Sequence, residues 1–93
     1  MNVKDAVRKA IEYVADVFGP EKPGNIGLEE VVFDEFDNAW EITIGFSRPW
    51  DYPPASGDIG VLLRPKVPQR QYKTIRIDDN TGDVKSITMR TVK

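Results

Sequence analysis

Asp78, Asp79, Asn80 and Asp83 crowd around Gly82 in the stretch IRIDDNTGDVKSI, residues 75–87. Side-chain oxygens at that density are the raw material of a cation loop, because calcium takes about six to eight oxygens in a closed cage. With Asp78 in the first position of a helix-loop-helix calcium motif, Asn80 fills the third. Gly82 then falls in the fifth, where an oxygen donor is required, and Met89 in the twelfth, where the motif needs a bidentate Glu. The alternative is a β-hairpin turn, in which Asp and Asn side chains satisfy turn amides and Gly82 takes a positive φ. β-branched residues on both sides favour the turn, and no metal or other cofactor is expected.

A second candidate is the loop SRPWDYPP, residues 47–54, where Arg48, Trp50 and Tyr52 stand among prolines. Aromatic side chains on a proline-stiffened loop offer contact area at low entropy cost, and Arg48 adds a cation able to stack or pair. These three are the expected partner-binding residues. The competing reading folds Trp50 and Tyr52 back as a cap on the core. A third group, Glu29, Glu30, Asp34 and Glu35, invites a carboxylate-pair mechanism. On a regular strand, however, Glu30 and Asp34 point away from Glu29 and Glu35, and paired acids must converge in a cleft.

The chain contains neither His nor Cys. This removes the commonest general base at neutral pH, the thiolate nucleophile and the ligands of most zinc sites, and no catalytic residue is assigned; the absence fits an expectation that the protein is not an enzyme without establishing it. A net charge of −2 lacks the basic excess of a nucleic-acid binder. Charges interrupt the N-terminal segment too often for a signal peptide or membrane span, which gives cytoplasmic localisation as the expectation, with export open if a leader has been removed.

Such residues need elements to position them. Ninety-three residues make a single domain, with 40% hydrophobic residues for one core. Apolar residues at 3, 6, 7, 10, 11, 14, 17 and 18 fall within an arc of about 140° at 100° per residue, which predicts an amphipathic helix over 2–18. Asn2 is its N-cap, Asp5 the capping-box partner and Gly19-Pro20 its stop, a residue able to take the left-handed region followed by one that cannot continue the helix. Arg8 and Glu12 form an i, i+4 pair on the wet side. Residues 20–27 read as a connection.

Beyond it the period changes to two. Strands are predicted at 28–36, 39–47, 71–78 and 83–92, with a tight turn at Asp37-Asn38 and a long proline-rich loop at 48–70. Trp40, Ile42, Ile44, Phe46, Ile75, Ile77, Ile87 and Met89 make the face under the helix. Glu41, Thr43, Thr74, Arg76, Ser86, Thr88 and Arg90 make a solvated outer face, or one that docks another chain. The fold class is therefore α+β, one N-terminal helix packed on an antiparallel sheet of three to four strands.

The helix, the hairpin around WEITIGFSRP and the closing hairpin YKTIRIDDNTGDVKSI together resemble the small PepSY-like domains and, more broadly, the cystatin-like α+β arrangement. Asp78, Thr81, Gly82 and Val84 stand where those domains carry a strand-ending Asp, a Thr-Gly turn and a following Val. The resemblance implies a non-catalytic module that regulates or inhibits a protein partner. The cystatin signature Q-x-V-x-G has no counterpart here, since QRQYK at 69–73 lacks the glycine. Two other classes stay open: a small-ligand-binding domain, and a structural subunit that pairs with a second chain, including a homodimer.

Overall fold

The computed structural model describes residues 1–49 and 70–89. Helix α1 runs from Val3 to Val17, followed by a 3-10 turn over Gly19–Glu21. Four strands follow: β1 Gly24–Asp34, β2 Ala39–Ser47, β3 Gln71–Asp78 and β4 Val84–Met89. They form one antiparallel sheet in the order β1-β2-β3-β4. This is the expected architecture, a helix laid on one face of a four-stranded meander.

The helix starts as its sequence requires. Asn2 is extended, and its Oδ1 accepts the amide of Asp5 at 2.8 Å, which satisfies one of the amides a helix start leaves unpaired. Its end differs from expectation. Gly19 does not enter the left-handed region; the chain tightens into the 3-10 turn, and Lys22 takes the positive φ of 51°. Arg8 pairs with Asp5 at 3.5 Å rather than with Glu12. Asp5 stands at the helix start, and its carboxylate is the acid that Arg8 meets three residues back.

Ala6, Ala10 and Val14 are fully buried and lie on one line of the helix. Small residues on that line let the backbone come down close over Ile42, Ile44, Phe46, Ile75 and Ile77, the fully buried residues of β2 and β3. Truncating one of these isoleucines to Ala costs about 2–5 kcal/mol. Phe18 stacks on Phe46 with centroids 5.1 Å apart, and Phe33 meets Trp40 edge-on at 4.8 Å. Trp40 is half-buried, and two more residues assigned to this face are less covered: Ile87 is half-buried and Met89 is 74% exposed. Both belong to β4, the edge strand on the side away from β1, while α1 packs chiefly on β1, β2 and β3.

β1 departs most from the sequence pattern. It begins at Gly24 rather than 28, and Gly24 and Gly27 pair with Ser47 and Gly45. Register shifts between Gly24 and Gly27 and between Leu28 and Glu30, with a positive φ at Asn25, hide the strand from a period-two search. The β1–β2 connection is four residues long, Glu35 to Asn38, and of the expected Asp37-Asn38 pair Asn38 alone has a positive φ, 48°. β2 and β3 have the predicted bounds. β4 starts one residue late, and the predicted residues 90–92 lie outside the described residues, as does most of the predicted 48–70 loop.

Candidate functional site

The helix has a second apolar line beside the buried one: Val3, Val7 and Ile11. One helix is about 10 Å across, whereas four strands spaced about 4.8 Å apart make a wider sheet, so a single helix centred on β2 leaves an apolar strip at one flank. That strip is a groove of about 720 Å³ between α1 and β1, with Val3, Val7 and Ile11 on the helix side and Leu28 and Val31 on the strand side. Lys4, Arg8 and Glu12 are its polar lining. Val3 is 44% and Leu28 46% exposed, a large apolar surface for a domain this small. The charged groups all come from α1, and the strand side of the groove is wholly apolar. Chemically, this surface can exclude water from an apolar group and fix its orientation by charge at the edge.

The opposite face of the sheet is organised by Arg76. Its guanidinium donates to Glu41 across the β2–β3 ladder, to Asp34 at 2.9 Å and to Asp37 at 2.5 Å. The hydrogen bond from Arg76 holds the Asp34 carboxyl below its usual value, and Asp34 in turn raises the Arg76 pKa. Farther along this face the Thr43 and Thr74 hydroxyls bond at 3.2 Å, and Arg70 pairs with Glu29 at 3.2 Å. A Cβ on Gly45 would stand 2.7 Å from both Arg70 Nη2 and Glu29 Oε1, so the glycine is what lets this pair lie flat on the sheet. The face is drier than the alternation predicts: Thr43 is 2% and Ser47 1% exposed. The bulge at Glu29 also overturns the regular-strand expectation, for Glu29 shares this face with Asp34, each held by an arginine.

The acidic loop that heads the sequence reading is a turn with its oxygens engaged. Asp78 Oδ1 accepts the amides of Asn80 at 2.8 Å and Thr81 at 3.0 Å, which hold its carboxyl below the usual value. Asp79 Oδ1 accepts from Trp40 Nε1 at 2.9 Å, and Gly82 has a φ of 75°. Among the described residues no three acids converge in a geometry that could hold a metal ion.

Of the expected partner-binding residues, Arg48 follows β2 directly and its guanidinium pairs with Glu21 at 3.3 Å, tying the sheet to the 3-10 turn. Trp50 and Tyr52 lie outside the described residues, as does Arg90 of the outer face. Sequence reasoning passed over Phe36, which is 99% exposed at the tip of the β1–β2 turn, and assigned it to the end of a strand. A signal was present: Asp34-Glu-Phe-Asp-Asn begins with a turn-forming Asp just as Asp78-Asp-Asn-Thr-Gly does. No helix among the described residues is long and apolar enough to cross a membrane. Compared with protein-family models, with curated proteins and with solved structures, the chain finds no match in any of the three.

Proposed function

We propose that this chain is a non-catalytic, cytoplasmic protein-binding or regulatory module that acts through protein contacts. The observation that carries the reading is the α1–β1 groove, an apolar surface left open beside the core. The turn residues Asp78, Thr81, Gly82 and Val84, which resemble those of PepSY-like domains, support the same reading. A small-ligand-binding role is the second reading, favoured by the groove's volume, which falls in the range of small-molecule sites. Such sites combine apolar walls with a few convergent polar groups, and here the polar groups stand at the edge. An apolar protein segment therefore fits better than a compact polar ligand.

The test is capture of a partner by the tagged chain, repeated with Val3→Asp plus Leu28→Asp. Both positions are exposed enough for the domain to stay folded, with circular dichroism as the check. Loss of the captured partner is expected. Retention by the folded groove variant, together with loss in Trp50→Ala plus Tyr52→Ala, would move the site to the 48–70 loop. Saturable calorimetric binding of a small aromatic compound, blocked by the groove variant, would favour the ligand reading.

A further inference from the structure

Two unusual surfaces of this chain complement each other. The groove is walled by apolar side chains and carries Lys4, Arg8 and Glu12 at one-turn steps along its helix side. The β1–β2 turn carries Phe36, 99% exposed, between two acids, Glu35 and Asp37. Lys4 and Glu35 each lack an ion-pair partner among the described residues. The turn is held rigid, because Asp34 Oδ1 accepts the amides of Phe36 at 3.0 Å and Asp37 at 3.4 Å while Arg76 grips both acids. A preorganised tip pays little entropy on docking. With nearly its whole surface in water, Phe36 does not fill the groove of its own chain.

Resting on the reading of the groove as a protein-contact site, we infer that it receives the β1–β2 tip of a second copy, with Phe36 on the apolar floor and Glu35 against Lys4. The contact is heterologous: each copy offers a tip to one neighbour and a groove to another. Such contacts propagate unless the rotation between copies closes a ring. An interface of one hairpin tip is small, so association is weak and rises with concentration.

Sedimentation velocity on the purified chain, taken up to about 1 mM to reach weak affinities, tests this. The average mass of the wild type should rise with concentration, and fall back with salt as the charge contacts are screened. Phe36→Ser, which removes only an exposed ring, and Val3→Asp, which adds an acid to the first helical turn where the helix dipole favours it, should each weaken association about tenfold, the effect of losing an aromatic anchor. An equimolar mixture of the two variants should form a complex that stops at two chains, since one retains a groove and the other a tip. Lys4→Glu and Glu35→Lys should each weaken association, and together restore it. A wild type that stays monomeric, a mixture that does not associate, or a charge swap without rescue would each overturn the inference. A monomeric wild type whose groove variant loses a captured partner leaves the groove's protein-contact role standing, whereas a groove variant that keeps its captured partner and also self-associates like the wild type removes both.

Discussion

The two hairpin turns of this domain use the same local chemistry to opposite ends. In each, an aspartate closing a strand accepts the amides two and three residues on: Asp34 those of Phe36 and Asp37, Asp78 those of Asn80 and Thr81. Beyond that they diverge. The β3–β4 turn is built into the domain, with Asp79 bonded to the Trp40 indole and Gly82 buried against Met1 and Lys9. The β1–β2 turn is braced from behind by Arg76 and projects Phe36 into water. An Asp-rich turn is thus a structural device first. What it presents depends on what stands next to it.

The largest effect that would sharpen this contrast is expected at Gly82. Gly82→Val forces a β-branched residue into the left-handed region at φ 75° and should cost about 2 kcal/mol in urea-unfolding free energy. A cost near zero would mean that the β3–β4 turn is not held as described. Asp79→Ala should cost about 1 kcal/mol, because the partly buried Trp40 Nε1 loses its acceptor; an unchanged urea midpoint would detach that turn from the core.

The two strand-closing acids differ in a graded way. Asp34→Ala should lower the midpoint more than Asp78→Ala, because Asp34 also holds Arg76 at 2.9 Å, whereas the cation beside Asp78 is Lys85 at 4.0 Å. Both carboxyls lie below the ordinary value in the folded chain, Asp34 through Arg76 and Asp78 through its turn amides. A depressed folded pKa gives stability that is fully present above the unfolded value of about 3.9 and is lost as pH falls through the folded value. Stability should therefore drop as pH falls below about 4, and drop less steeply in Asp78→Asn. The reverse dependence, with stability rising in that window, would contradict both assignments. The smallest effect on stability is that of Phe36→Ser, within about 0.5 kcal/mol of wild type, as for an exposed side chain. A larger loss would show that Phe36 packs on the domain rather than projecting from it.

How much was legible follows from how far apart the interacting residues are. The Asn2 cap, the Gly82 turn and the bounds of β2 and β3 rest on contacts within a few residues, or on strict alternation along one strand, and those the sequence displays. Gly24 to Gly27 escaped notice because two register shifts and a positive φ at Asn25 break the alternation. Arg76 was visible as an outward residue, but its three carboxylates sit on other strands and turns, and nothing in the order of residues marks them as its partners. The Phe36 tip was hidden by one misplaced boundary, since a strand carried to 36 makes it a strand residue.

By itself, the sequence determined that the described residues make one helix and a period-two sheet, that Gly82 holds a turn, and that the chain contains no His or Cys. These follow from local steric preference, periodicity and composition, which need no knowledge of neighbours in space. Only the tertiary structure decided which apolar line of the helix is buried and which borders a groove, which acids Arg76 gathers, and which of two similar turns faces outward. The reason is geometric: one helix cannot cover four strands, and strand register, including one bulged residue at Glu29, selects the side chains that meet across the sheet.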